Sequence, residues 1–251
     1  MMPTVHSIFF TESKGQSKYP VILVHGAGGT HMHWPHQLRH HAEMRVLAID
    51  LPGHGESGGE TCASVGEFAA AIVRFLDGLG AEKAILGGHS MGGAITQTFA
   101  LEYPDRAAGI VLVGTGARLR VSPQILDGVK RDFAGTANLI VEWSFGPGAP
   151  ERFTGKAREQ LMEVNPDVLL SDYAACNVFD AMGRVSQIKA PTLIIGGLAD
   201  KLTPEKYLRY LAEQIPGAQL KLFDSAGHMV MLERAEEVTE AIKEFVLLVH
   251  R

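Results

Sequence analysis

Cysteine is nearly absent from this sequence: Cys62 and Cys176 are the two among 251 residues. Two thiols so far apart make no disulfide framework, and a reduced, cytoplasmic setting is the expectation. Clustered positive charge is also missing. Lys and Arg total 23 against 28 Asp and Glu, a formal net charge of −5, so neither nucleic acid nor an anionic membrane is expected as a partner. No run approaches the roughly 18 apolar residues of a membrane span. Met1 to Lys18 has no cationic leader region, and Ile8-Phe9-Phe10 is too short for a signal core. Repeats and low-complexity tracts are lacking too. What remains is an ordinary globular composition, 46% hydrophobic and 20% charged, long enough for one catalytic domain carrying an insertion.

Short Val-, Ile- and Leu-rich runs recur: Val21 to Val24, Val46 to Ile49, Ala84 to Leu86, Ile110 to Val113, Leu193 to Ile195 and Leu220 to Phe223. All but the last are apolar without alternation, the pattern of parallel strands buried on both faces. Segments of helical period separate them. One stripe runs from Val65 through Phe68, Ile72 and Phe75 to Leu79, with Ser64 and Glu67 as a capping box and Gly80 as the C-terminal glycine. A second stripe is Val238, Ile242, Phe245 and Val249. The alternation predicts an α/β doubly wound, mostly parallel sheet flanked by helices.

Between about Leu119 and Ile188 the alternation fails, and helical segments broken by Pro and Gly take over. We read residues 119–188 as a helical insertion over the sheet's C-terminal edge, and 1–118 with 189–251 as the core domain. Its aromatic and sulfur side chains, among them Trp143, Phe145 and Phe179, either form a small core of their own or line an apolar pocket.

Gly88-His89-Ser90-Met91-Gly92 follows the third of these strands and opens a helix-compatible segment. A nucleophile on such a strand-turn-helix needs minimal side chains two residues either side, which Gly88 and Gly92 supply, and the helix N-terminus favours developing negative charge. His25-Gly26-Ala27-Gly28-Gly29 follows the first strand. It matches neither glycine-rich phosphate signature, and its Ala27 N–H, with that of Met91, is the expected oxyanion pair. His228, just after the last strand, is the expected base. Asp200, closing Gly196-Gly197-Leu198-Ala199-Asp200, is the expected acid. Asp224 is too near His228 in the chain to partner it naturally, and Asp180 lies in the insertion.

His31, His33, His36, His40 and His41 crowd one stretch. A metal site needs carboxylate or thiolate ligands at a recognisable spacing, which are missing, so a solvated helix at the pocket mouth is expected and no metal or cofactor is called for. His31, Trp34, Gly28 and Met229 are expected to touch substrate. His89 is read as a packing and hydrogen-bonding residue, the two cysteines as buried thiols or bystanders, and Glu233 as either a surface carboxylate or a residue standing behind the reacting groups.

With these residues placed, the chain resembles the α/β-hydrolase superfamily, and within it the capped serine esterase and lactonase-like branch. The resemblance spans nearly the whole chain. It rests on His25 to Gly28, Asp50-Leu51-Pro52-Gly53-His54-Gly55-Glu56-Ser57, the Ser90 elbow, Gly197 to Asp200 with Thr203-Pro204, and Gly227-His228. It implies a Ser-Asp-His triad in that chain order, a structural role for Asp50 to Ser57, and a cap at the insertion. Dehalogenases and epoxide hydrolases of this superfamily use an aspartate where Ser90 stands. Carbon–carbon hydrolases usually carry an aromatic residue where Met229 stands. The implied activity is cleavage of carboxylic esters of small apolar substrates, by a monomer or homodimer. Enol-lactone hydrolysis, carbon–carbon hydrolysis, a perhydrolase side activity and a non-catalytic small-molecule receptor are the alternatives.

Overall fold

The structure is a computed structural model that describes residues 4–250. Its centre is an eight-stranded sheet in the spatial order β1-β2-β4-β3-β5-β6-β7-β8. The strands are β1 (Thr4–Val5), β2 (Ile8–Glu12), β3 (Val21–Val24), β4 (Val46–Ile49), β5 (Ala84–His89), β6 (Ala107–Val113), β7 (Thr192–Gly197) and β8 (Gln219–Phe223). Strand β2 pairs antiparallel with both β1 and β4, and β4 to β8 are parallel with β3.

The unbroken apolar runs have a simple cause: alternate residues enter two different cores. Ile22, Val24, Leu47, Ile49, Leu86 and Ile110 face one core, whereas Val21, Leu23, Val46, Ala48, Ile85 and Val111 face the other. Helices α2 (Val65–Gly78), α3 (Met91–Glu102) and α8 (Glu205–Gln214) cover the first face. Helices α1 (His36–Arg39), α9 (Val230–Glu233) and α10 (Ala235–Val249) cover the second. The end signals of α2 act as expected: the Ser64 hydroxyl accepts from the Glu67 N–H at 3.2 Å, and Gly80 takes φ +67°. Glu67 answers to the Ala63 N–H at 2.9 Å, one residue before the cap.

Between β6 and β7 lie α4 (Pro123–Arg131), α5 (Phe133–Ser144), α6 (Glu151–Glu163) and α7 (Pro166–Val178). Ile125, Val129, Ile140 and Leu169 join a small cluster of their own, but Ala175, Cys176 and Phe179 belong to the first sheet core. Helix α7 is thus anchored in the main body. Strand order reverses about β3, whose chain continues to β4 on one side while β5 pairs on the other. Such a switch point opens a crevice at the strand ends, and the loops after β3 and β5 both start there. Among the described residues, no helix is long and apolar enough to cross a membrane.

Candidate active site

Ser90 stands between β5 and α3 at φ +53°, ψ −114°, a region that non-glycine residues seldom occupy. Its surroundings hold it there. The Ser90 N–H donates to the Val113 carbonyl at 2.9 Å, and the Ser90 carbonyl accepts from Thr115 Oγ1 at 2.8 Å and from the Gly93 N–H at 2.9 Å. A Cβ on Gly88 would collide with the Gly92 carbonyl, and one on Gly92 with the Val24 carbonyl, so both flanking glycines are required by close approach. The side chain is half-buried and lines a cavity of about 420 Å³.

His228 lines the same cavity. Its Nδ1 donates to Asp200 Oδ2 at 2.8 Å and lies 3.1 Å from Thr203 Oγ1. Asp200 also accepts from Thr203 Oγ1 at 2.7 Å and from the Leu202 and Thr203 N–H groups, each at 2.8 Å. Burial would raise the Asp200 carboxyl, but attraction to His228 and these donors hold it below the usual range. A carboxylate so committed fixes the His228 proton on Nδ1 and leaves Nε2 as a base. His89, neutral because burial drives its pKa far down, donates from Nε2 to the His228 carbonyl at 3.1 Å and packs its ring 4.6 Å from that of His228. Glu233 works from behind: its carboxylate accepts from Gly227 N–H at 2.8 Å and Gly146 N–H at 2.9 Å, and burial raises its pKa. It is a support for the His228 loop.

The Gly26 to Gly29 loop closes the other side. Its Gly29 N–H turns inward to the Gly26 carbonyl at 3.0 Å, and its Gly28 N–H donates to Asp172 Oδ2 of α7 at 2.7 Å. Among the described residues, the Ala27 and Met91 N–H groups donate to no protein acceptor.

Gly28, Trp143, Phe145 and Met229 line the cavity, and three residues expected there do not. His31 turns its ring to Asp50, donating from Nδ1 at 2.8 Å while its N–H donates to the same oxygen at 2.6 Å. Trp34 is fully buried in the second core, and Phe179 is largely buried against the first. The expected solvated helix is instead a 3₁₀ turn at His31–His33 followed by the single turn of α1. His33 faces the cavity, and burial pushes its imidazole down to about 4. Asp50 braces its turn by accepting from His31 and from the Glu56 N–H at 2.9 Å, while the Ser57 hydroxyl donates to the Asp50 carbonyl at 2.6 Å. Cys62 is a half-buried thiol pushed up to about 11, and Cys176, buried in the cavity wall, is pushed up as well. Among the described residues, no group of three or more His, Cys, Asp or Glu is arranged to hold a metal ion.

Sheet order, elbow and insertion together are those of the α/β hydrolases, and the chain belongs to that family: a profile described as alpha/beta hydrolase fold matches residues 19–235. A solved structure of a thermophilic esterase is 34% identical, with a TM-score of 0.87 over 96% of this chain and 94% of that one. A malate-bound thermophilic esterase from Thermogutta terrifontis is 28% identical, with a TM-score of 0.88 over 97% and 94%. The chain is also 28% identical, over 92% of its length and 88% of the relative's, to a 2-hydroxy-6-oxononadienedioate/2-hydroxy-6-oxononatrienedioate hydrolase of Paraburkholderia phymatum.

Proposed function

We propose that this hydrolase cleaves carboxylic esters through an acyl-enzyme formed on Ser90. The observation that carries the reading is Ser90, held at φ +53° on the wall of the same cavity as a His228 whose Nδ1 is committed to Asp200. Ser90 Oγ attacks the ester carbonyl and His228 Nε2 takes its proton, then returns it to the departing alcohol. Asp200 orients the imidazole and stabilises its cation. The Ala27 and Met91 N–H groups receive the tetrahedral oxyanion. Water, activated by the same histidine, releases the acid. Residues 119–188 act as a cap that encloses the acyl group. The cavity wall carries Leu119, Val121, Ile140 and Leu161, with Arg120 and Lys201 but, among the described residues, no Asp or Glu, which supports apolar acyl groups, neutral or anionic, over cationic ones.

Ser90→Ala tests the reading. Turnover of p-nitrophenyl esters should fall by about 10⁴-fold or more, the loss seen when a triad nucleophile is removed, and a fluorophosphonate should label the parent but not the variant. Unchanged ester turnover in Ser90→Ala would sink the proposal. The relationship to the Paraburkholderia enzyme supports a second reading, carbon–carbon hydrolysis of a vinylogous diketo acid by the same residues. Assaying such an acid and an enol-lactone beside an ester chain-length series decides between them by kcat/KM.

A further inference from the structure

If Ala27 is to present its N–H to an oxyanion, as that reading requires, something must fix the loop that carries it. Gly28, the next residue, has φ +61°, and its N–H is taken by Asp172 at 2.7 Å. The same carboxylate oxygen accepts from His54 Nε2 at 2.8 Å, while His54 Nδ1 lies 3.0 Å from the Pro52 carbonyl. A carbonyl and an ionised carboxylate can only accept, so beside an Asp172 anion both ring nitrogens carry protons and His54 is an imidazolium. Among the described residues, its surroundings offer no other neutralising hydrogen bond. Asp50 is committed to His31 and the Glu56 N–H. The His25 ring, 5.0 Å from that of His54, donates from Nδ1 to the Gly26 carbonyl and accepts at Nε2 from the Leu51 N–H at 3.0 Å, so it is neutral. Phe68 of α2 closes another side, and Cys62, Tyr173 and Cys176 are held protonated by burial. Asp172 is wholly buried and His54 is 4% exposed.

We propose that Asp172, fixed by the His54 cation, is a positioning residue for the oxyanion loop: α7 of the insertion reaches into the core, takes the Gly28 N–H away from the cavity, and so leaves the preceding amide aimed at the reacting oxygen. The insertion then does more than enclose substrate. It completes the charge-stabilising half of the site, and an undocked α7 leaves Ser90 and His228 in place but the oxyanion loop unheld. Because the oxyanion exists only after attack, loss of the clamp should lower kcat rather than raise KM.

Three variants test this. Asp172→Ala strands the buried cation, so the decisive protein is Asp172→Leu/His54→Leu, which removes both charges together and leaves an apolar pair, an exchange that buried ion pairs often tolerate. Asp172→Asn keeps an oxygen for the Gly28 N–H. We expect the double variant to melt near the parent temperature. Its kcat on p-nitrophenyl butyrate should fall by about 10–100-fold with KM within about threefold, and its affinity for a trifluoromethyl ketone should fall by the same factor. Asp172→Asn should recover kcat to within about threefold of the parent. A folded double variant with parental kcat, or one whose loss lies only in KM, overturns the proposal. Ser90→Ala run in parallel separates the two claims: if that variant keeps turnover, the hydrolase reading fails, whereas a silent Ser90→Ala beside a fully active double variant defeats the clamp alone.

Discussion

Two carboxylates join the helices between β6 and β7 to loops of the rest of the molecule, and they are built in opposite ways. Asp172 belongs to the insertion and grips the core, taking Gly28 N–H and the His54 cation. Glu233 lies after β8 and grips the segment between α5 and α6, taking Gly146 N–H together with Gly227 N–H beside His228. One is a buried ion pair, the other a half-buried anion served by two amides alone. The difference shows in their titration. Burial would lower the His54 imidazole, but the hydrogen bond and charge of Asp172 outweigh it and raise the pKa. For Glu233 nothing outweighs burial, and the carboxyl is raised. An ion pair locks a loop only while both partners are present, whereas an anion on two N–H groups is a softer fastening.

The largest expected effect follows from removing one partner of the pair. Asp172→Ala should cost about 3–5 kcal/mol of unfolding free energy, because an uncompensated cation stays buried. Glu233→Ala should cost only about 1–2 kcal/mol, since two amides lose their acceptor but a desolvated carboxylate also disappears. Urea denaturation of both variants gives the ordering, and equal losses would break the contrast.

Acidity sharpens it next. The folded His54 pKa lies above its ordinary 6.5, so the stability it contributes is complete below about that pH and is lost as pH rises through the folded value. The gap in stability between the parent and Asp172→Leu/His54→Leu should therefore move against the parent on the alkaline side. Glu233 is raised above 4.5, so the folded state holds its proton more tightly and the parent loses stability relative to Glu233→Gln as pH climbs through that window; below 4.5 the difference closes. Thermal melts from pH 4 to 9 would show either slope, and a flat His54 profile would deny the imidazolium.

The smallest effects compare two tryptophans. Trp143 of α5 lines the cavity, so Trp143→Ala should raise KM for long acyl chains by about tenfold, the scale of lost apolar contact in a pocket. Trp34 lies in the second core with its Nε1–H unpartnered among the described residues. Trp34→Phe discards that donor along with some contact area and should leave kcat/KM within about twofold, at a stability cost below about 1.5 kcal/mol.

The fold was legible because its signals are local. Runs such as Val21 to Val24 and Val46 to Ile49 carry the two-faced burial in their own composition, and the glycines around Ser90 record the tight turn. The residues proposed for the triad were legible for the same reason, each lying at a strand end beside a short motif. What escaped was settled by distance. Asp172 meets Gly28 and His54 across 144 and 118 positions of chain, and no local pattern announces an aspartate in a helix as a clamp. His31 and His33 illustrate the limit at short range: a 3₁₀ turn sends one ring to Asp50 and the other to the cavity, a choice that their spacing alone does not dictate. Phe179 looked like a pocket residue because it is aromatic and in the insertion, yet α7 ends inside the main core and carries it there.

The alternation along the strands has a practical meaning for anyone who would rebuild this protein. Val21, Leu23, Ile85, Val111, Leu193 and Ile195 answer to one set of helices, and Ile22, Val24, Leu86, Ile110 and Ile194 to the other. Each half of that register is a separate alphabet. A library could rewrite the α10 side letter by letter while every position that supports α3, and with it the turn under Ser90, stays untouched.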